Sequence, residues 1–313
     1  MSGQMLTLVR VPGTLGPMTT PITERIAGAP ISWGVCEVPG WGHQLDADTV
    51  LTQMREVGIS ATEYGPDGFL PDNPSAKAEL LDGYGLKAVG QFVPVVLHDA
   101  DVDPMPTVDQ AIEGLLAARA NVIVIAASTG VDGYDSRPVL DGDQWATLLG
   151  NLDRINERAA EQGLTATVHP HVGTMIESGE EADRVLAGSS IKLCLDTGHL
   201  LIGGGDPVAV VKEHPERIGH MHLKDVRRDL AAKVQSGELT YTDAVSQGMY
   251  VPLGAGDVDI AGIVERLEGN GYQGWYVMEQ DSILTGPPEQ TGADPRDDVR
   301  SSIAYVLEAG ATR

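Results

Sequence analysis

The stretch LTATVHPHVGTMIESGEEADRVLAGSSIKLCLDTGHL, residues 164–200, contains the pattern that decides the fold. It begins with a short apolar run at 164–169 and closes with a second at 191–196, and the segment between them is amphipathic. A strand, an intervening helix and a second strand of these lengths are typical of two parallel strands joined by a helical crossover. Each apolar run ends in polar side chains, so the carboxyl ends of the strands are predicted to carry the chemistry.

The same alternation continues on both sides of this stretch. Helical spacing of apolar residues recurs at 50–57 and 260–267, and glycines that end helices precede several strands. The predicted strands are 29–33, 59–64, 86–95, 121–126, 164–169, 191–196, 217–223 and 275–279. Eight strands, each followed by a helix, predict one (β/α)₈ TIM barrel over residues 25–313. Residues 1–24, which are rich in proline and glycine, are predicted to form a flexible N-terminal leader.

A doubly wound sheet is the competing architecture. The first strand is followed by no GxGxxG or GxxxxGK[ST] pattern, and the glycines at 203–205 lack the Lys-Ser/Thr partner of a phosphate loop. The segment 226–250 is a long insertion after the seventh strand. In a barrel such an insertion lies over the functional face, and we predict that it closes over the bound substrate.

Composition excludes several classes of function. The 313 residues include 45 Asp and Glu against 21 Lys and Arg, a net charge of −24, which argues against a nucleic-acid partner. No apolar run approaches the roughly 20 residues of a membrane span, and the first twenty residues do not read as a signal peptide. The chain has only two cysteines, which are far apart in the sequence. This rules out a disulfide-stapled domain and is typical of a protein from a reducing compartment. These features predict a cytoplasmic, globular protein that acts on a small molecule, with a homo-oligomer left open.

Polar side chains follow four consecutive predicted strands. They are His169 and His171 after the fifth, Asp196 and His199 after the sixth, His222 and Lys224 after the seventh, and Glu279 after the eighth. Since parallel strands end at one mouth, these residues predict a site for one divalent ion, with either histidine of the fifth strand as a ligand. Nitrogen and oxygen ligands favour Mn²⁺ or Co²⁺, with Fe²⁺, Mg²⁺ or Zn²⁺ as alternatives. Cys194 is expected to lie off the ligand face, in the core.

Each residue also has a structural interpretation. A histidine at a strand end is often held by hydrogen bonds, an aspartate in the position of Asp196 often caps the next helix, and Lys224 could form a salt bridge with Asp225. Four such residues at successive strand ends favour the metal site.

A bound divalent ion can act as a Lewis acid on a ketone and its neighbouring hydroxyl, so that the α-proton becomes acidic. The candidate bases are His171, His199, Glu37, Glu63 and Lys224. Loss of a β-hydroxyl then gives dehydration, and reprotonation gives isomerisation or epimerisation. Trp33 is predicted to contact a ring face and Glu63 to hold a hydroxyl. A barrel-type endonuclease would need a basic groove, and a sugar-binding barrel would need no set of ligands.

Three motifs carry a resemblance to a known family: HPHVGT at 169–174, LDTGHL at 195–200 and HLKDVR at 222–227. With them the chain resembles the xylose-isomerase-like barrels, which include sugar isomerases, epimerases and dehydratases. Within that superfamily it is most similar to the inosose dehydratases of myo-inositol catabolism. The resemblance implies the ligand set His169, Asp196, His222 and Glu279. It also implies contacts with a polyol or keto-sugar substrate from His199 and from Arg228 or Arg227.

The activity implied by the resemblance is dehydration of 2-keto-myo-inositol, and the alternative is a ketose or inosose isomerase or epimerase. Two departures lie in the predicted substrate pocket. Gly-Val-Cys-Glu at 34–37 follows Trp33 where the inosose dehydratases have Thr-Asn-Asp, and the fourth strand ends in Ala-Ala-Ser-Thr at 126–129 where theirs is polar and acidic. The resemblance therefore leaves the exact cyclitol open.

Overall fold

The computed structural model describes residues 20–131 and 133–311 and confirms the (β/α)₈ barrel. The strands are β1 (Ile26–Gly28), β2 (Ala61–Thr62), β3 (Lys87–Ala88), β4 (Gly90–Val96), β5 (Val122–Ser128), β6 (Thr165–Val168), β7 (Lys192–Asp196), β8 (Ile218–Leu223), β9 (Asp225–Val226), β10 (Tyr250–Val251) and β11 (Tyr276–Met278). The helices are α1 (Ala47–Glu56), α2 (Pro74–Tyr84), α3 (Met105–Ala117), α4 (Gly142–Glu161), α5 (Gly179–Gly188), α6 (Thr197–Ile202), α7 (Pro207–Glu213), α8 (Arg228–Gln235), α9 (Tyr241–Ser246), α10 (Ile260–Gly269), α11 (Pro288–Thr291) and α12 (Pro295–Ala311).

Nine parallel strands form a nearly closed barrel in the order β3-β2-β1-β11-β8-β7-β6-β5-β4. They occupy eight barrel positions, because the predicted third strand is divided at Val89. Its first part, β3, pairs with β2, and its second part, β4, pairs with β5. Apolar residues between the strands and the helices form the main core. No helix in the described ranges has both the length and the apolar character needed to cross a membrane.

The first strand lies three residues before its predicted position. β1 covers 26–28, and the residues predicted as a strand at 29–33 instead enter a 3₁₀ turn, Pro30–Trp33. Proline has no backbone N–H to give to a neighbouring strand, so Pro30 is compatible with the start of the turn and not with the middle of a barrel strand. The turn buries Trp33 completely in the core, where its Nε1–H donates to Gln53 at 2.9 Å.

Residues 1–19 of the predicted leader lie outside the described part of the chain. Of the remaining leader residues, Ile22–Glu24 form a 3₁₀ turn against the barrel. Thr20 donates its backbone N–H to the side chain of Gln273 at 2.9 Å. These few residues therefore follow the surface of the barrel.

The insertion after the seventh strand has its own secondary structure. β9 and β10 pair antiparallel at its base, and α8 and α9 lie between them. Asp225 holds this base to the following loop, because its buried carboxylate accepts four backbone N–H bonds of 2.8–3.0 Å. The donors are Val226, Gly254, Gly256 and Val258. One side chain thus fixes where the insertion leaves the barrel and where it returns.

We expect Asp225→Ala to lower the free energy of unfolding by about 3 kcal/mol, since buried N–H donors lose a charged acceptor. Equilibrium urea unfolding measures the change. Asp229→Ala, at an exposed position in the first turn of α8, is the control, and we expect it to cost less than about 1 kcal/mol. Equal losses for the two variants would contradict the role of Asp225.

Candidate functional site

A cavity of about 1040 Å³ opens at the carboxyl ends of the barrel strands. Among the residues that the sequence predicts for the site, those lining it are Glu37, Glu63, His169, His171, His222, Lys224 and Glu279. The aromatic side chains of Trp41, Tyr134 and Tyr241 also line it, together with Asp281. The cavity thus combines aromatic surface with converging ionisable groups, which is the character of a small-molecule site.

Four side chains, His169, Asp196, His222 and Glu279, converge at the base of the cavity, and we name them the ligand cluster. The Oδ2 atom of Asp196 lies 3.4 Å from Nε2 of His169 and 3.8 Å from Nδ1 of His222. Oε2 of Glu279 lies 3.1 Å from the same Nδ1. Ligands about 2.1 Å from one ion lie roughly 3–3.5 Å apart, so these separations are close to those of a shared cation.

Hydrogen bonding within the ligand cluster tests whether it suits a cation. Nε2 of His169, Oδ2 of Asp196 and Nδ1 of His222 are buried and make no hydrogen bond among the described residues. Two of these atoms do have a charged neighbour: Nζ of Lys224 lies 3.0 Å from Oδ2 of Asp196, and Oε2 of Glu279 lies 3.1 Å from Nδ1 of His222. Buried polar atoms that make no hydrogen bond are costly, and a cation between them would offset that cost. Two imidazoles and two carboxylates are ligands that Mn²⁺, Co²⁺, Fe²⁺ and Zn²⁺ accept. The residues therefore fit a divalent cation.

Cys194 is buried in the core as predicted, but it does not lie off the ligand face. Residues 194 and 196 of β7 share a face by the period of two, and a possible ligand atom of Cys194 lies within 4.8 Å of those of His169 and His222. Burial raises the pKa of the Cys194 thiol to about 11, which keeps it protonated beneath the ligand cluster.

Lys224 lies among three carboxylates. Its Nζ is 2.8 Å from Glu279 Oε2, 3.0 Å from Asp196 Oδ2 and 3.0 Å from Asp281 Oδ1. Burial by itself would lower the pKa of Lys224, but these carboxylates outweigh it and raise the pKa well above its usual value. The predicted salt bridge with Asp225 is therefore wrong: the carboxylate of Asp225 is committed to backbone N–H groups, and Lys224 is a buried cation at the edge of the ligand cluster.

Glu63 lines the cavity, but one of its oxygens is already occupied. Oε1 accepts from Nε2 of His220 at 2.8 Å and from Nε2 of His222 at 3.0 Å. Although burial raises the pKa of a carboxyl, the two imidazoles lower that of Glu63 to about 2. In a neutral His222 that donates from Nε2 to Glu63, the lone pair is on Nδ1, where it can face a cation in the ligand cluster. Glu63 therefore orients a candidate metal ligand, a role that the sequence did not predict.

We expect Glu63→Gln to weaken metal binding by roughly 10–100-fold, because the amide no longer fixes the tautomer of His222. Titration of the metal-free protein with Mn²⁺ measures the dissociation constant directly. Glu37→Gln, which alters a cavity carboxylate bound to Tyr134, is the control with unchanged affinity. The same affinity in both variants would remove the assigned role of Glu63.

His171 faces the cavity beside the ligand cluster. Its Nδ1–H donates to the carbonyl of Val172 at 2.7 Å, which leaves the lone pair of Nε2 free. Burial, and then the charge of Lys224, lower the pKa of His171. A neutral imidazole with one free nitrogen is suited to accept a proton.

His199 lies behind His171 and does not line the cavity. The two ring centroids are 3.7 Å apart, and His199 is completely buried. Its Nδ1 accepts from the N–H of Val172 at 3.4 Å, and its Nε2 lies 3.7 Å from Oδ2 of Asp281. The structure thus brings His199 to the back of His171 and not to the space where a substrate would lie.

Besides His199, three residues predicted to contact substrate are not brought to the cavity. Trp33 is in the core, and Arg227 and Arg228 are exposed at the start of α8. The insertion instead contributes Tyr241, whose hydroxyl donates to Asp281 Oδ2 at 2.5 Å. It also reaches the loop after β5, where Thr242 bonds to Asp135 at 3.4 Å.

Sequence reasoning missed several residues of the site. Asp281 follows Glu279 by two residues and His220 precedes His222 by two, so the period of a strand was an available signal for both. Tyr134 and Tyr241 lie on long connections, where no periodic pattern indicates which side chain faces the cavity.

The chain is similar to several known proteins in sequence and in fold. Residues 51–308 match a family model described as a xylose isomerase-like TIM barrel. The rhizopine catabolism protein MocC of Rhizobium meliloti is 35% identical over 264 residues, which is 82% of this chain and 81% of that protein. An inosose dehydratase of Geobacillus kaustophilus is 33% identical over 278 residues, 84% of this chain and 90% of the relative. A solved L-ribulose 3-epimerase shares the fold at a TM-score of 0.65 and 18% identity, covering 91% of this chain and 95% of its own.

Proposed function

The chain belongs to the xylose isomerase-like TIM barrel family, and we propose that within it the chain is a metal-dependent dehydratase of a keto-cyclitol such as 2-keto-myo-inositol. The observation that carries the proposal is the free Nε2 of His171 beside the ligand cluster, in a cavity lined by polar and aromatic groups. The inosose dehydratases among the relatives, which are 26–33% identical over 83–86% of this chain, supply the reaction class.

The ligand cluster would hold one divalent ion, Mn²⁺ or Co²⁺ by the chemistry of its donors. When bound, such an ion supplies Lewis acidity to a ketone and its neighbouring hydroxyl. Glu63 supports this site through His222, and Lys224 holds the carboxylates of Asp196 and Glu279 in place.

His171 is the base that we propose for the α-proton. The hydrogen bond from its Nδ1–H to Val172 fixes the ring, so Nε2 accepts the proton from carbon. Lys224 places a permanent positive charge on the cavity wall, where it stabilises the negative charge that develops on the substrate.

Dehydration then requires that the β-carbon–oxygen bond break and the departing oxygen receive a proton. His171 carries the abstracted proton on Nε2 and can pass it to the departing oxygen. His199 is not assigned this role, because it does not line the cavity. The α-carbon–hydrogen and β-carbon–oxygen bonds are replaced by a carbon–carbon double bond, water leaves, and His171 returns to its neutral form.

Incubation of Mn²⁺-loaded protein with 2-keto-myo-inositol in deuterated buffer tests this function. Elimination gives an ultraviolet-absorbing enol or dione, and isomerisation or epimerisation gives deuterated substrate or a rearranged ketone. We expect the first product, with the metal-free protein as the control. If only the second kind appears, the dehydratase proposal is wrong and the isomerase or epimerase alternative replaces it.

A further inference from the structure

The cavity is larger than a single ring requires. Pockets of roughly 300–1,000 Å³ hold drug-sized ligands, and this one has about 1040 Å³. A keto-cyclitol seated at the ligand cluster would fill only part of that volume. The remaining space lies away from the ligand cluster, on the side of the barrel next to α2 and α3.

This space exists because the barrel wall separates between the second and third strand positions. Tyr64 still donates its N–H to the carbonyl of Gly90 at 3.2 Å. The chain then bends at Gly65, whose φ of 72° L side chains rarely adopt, and turns toward Pro30. β4 continues to Val96 paired only with β5, and its other edge has no strand partner in the described ranges. The gap joins the mouth of the barrel to the space beside α3.

We name this space the side arm and define it by its lining residues Asp67, Asp72, Lys77, Gln91, Gln110 and Glu113. Beside the side arm, the buried hydroxyl of Tyr64 donates at 3.0 Å to the carbonyl of Gly114, a cavity-lining residue of α3. Nζ of Lys77 lies 4.5 Å from the centroid of the same Tyr64 ring.

The charges of the side arm indicate what it would accept. The lining of the side arm includes three carboxylates and one ammonium group, that of Lys77. The net charge of the side arm is therefore negative, and it would repel a phosphate or carboxylate on the ligand. The amides of Gln91 and Gln110 can each donate and accept hydrogen bonds, which suits hydroxyl groups.

We propose that the side arm is a second subsite, which binds a neutral, hydroxylated substituent carried by the ring at the ligand cluster. The substrates would then include keto-cyclitols that carry such a substituent, for example a glycoside, and these would bind more tightly than the bare ring. This inference rests on the proposed function, because it takes the ring to be seated at the ligand cluster.

Calorimetric titration of the Mn²⁺-loaded protein with myo-inositol and with galactinol, a neutral galactoside of myo-inositol, tests the subsite. We expect galactinol to bind about tenfold more tightly, an advantage of about 1.4 kcal/mol from the added hydrogen bonds. Gln110→Trp fills the side arm from an exposed position on α3, so it should remove this advantage without changing the affinity for myo-inositol. Leu116→Trp is the matched control, since Leu116 is 43% exposed on α3 and does not line the cavity.

Equal affinities for the two ligands, or equal effects of Gln110→Trp on both, would overturn the inference. Turnover of 2-keto-myo-inositol by the same protein separates the two proposals. Dehydration without a preference for galactinol refutes the side arm alone. Failure to turn over 2-keto-myo-inositol, together with failure to bind either calorimetric ligand, refutes the inference together with the proposed function.

Discussion

His171→Gln is expected to lower kcat on the order of 10³-fold, because the variant has no nitrogen that can accept the α-proton. Glutamine keeps an amide that can bond to the carbonyl of Val172, so the loop after β6 should retain its fold. The KM should change much less than kcat, since the substrate ring would still be held by the rest of the cavity.

Two measurements separate a lost base from a damaged site. The Mn²⁺ content of His171→Gln should equal that of the unaltered protein, because His171 is outside the ligand cluster. Tyr241→Phe, which removes the hydroxyl bonded to Asp281, is the comparison within the cavity and should lose far less activity. A His171→Gln variant with at least a tenth of the original kcat would exclude His171 as the base.

Asp196→Asn is expected to weaken metal binding by at least about 100-fold and to abolish turnover at ordinary metal concentrations. Metal ligands are more sensitive than the groups that orient them, whose loss costs roughly 10–100-fold. The substitution is matched in shape, and the amide oxygen can still accept from the N–H of His199, as Oδ1 does at 2.7 Å. Loss of metal would therefore reflect the lost charge of the carboxylate and not the lost helix cap.

Elemental analysis after dialysis gives the metal content of this variant and of Glu279→Gln. Asp281→Asn is the control, because Asp281 also bonds to Lys224 but is not a member of the ligand cluster. Removal of metal with a chelator should likewise abolish the activity of the unaltered protein, and added Mn²⁺ or Co²⁺ should restore it. Full metal occupancy in both Asp196→Asn and Glu279→Gln would exclude the ligand cluster as the metal site.

Much of the barrel and part of the site follow from local sequence. Residues 164–200 predict their strands and crossover, because strand length and apolar pattern are short-range properties. Parallel strands end together, so polar residues at successive strand ends had to meet, and His169, Asp196, His222 and Glu279 do converge. The position of the first strand was wrong because a proline inside an apolar run starts a turn, and the run alone does not show it.

Tertiary structure decided which partner each polar group takes. Glu63 bonds to His220 across 157 residues of chain, Tyr241 reaches Asp281, and Lys224 pairs with carboxylates of two other elements instead of its neighbour Asp225. The side arm likewise depends on a strand that changes partner at Val89. Periodicity shows which face of a strand a side chain is on, but distances across the barrel depend on how all the strands are staggered and tilted. Sequence alone therefore determined the fold and the meeting place of the polar residues, and the packed barrel decided their roles.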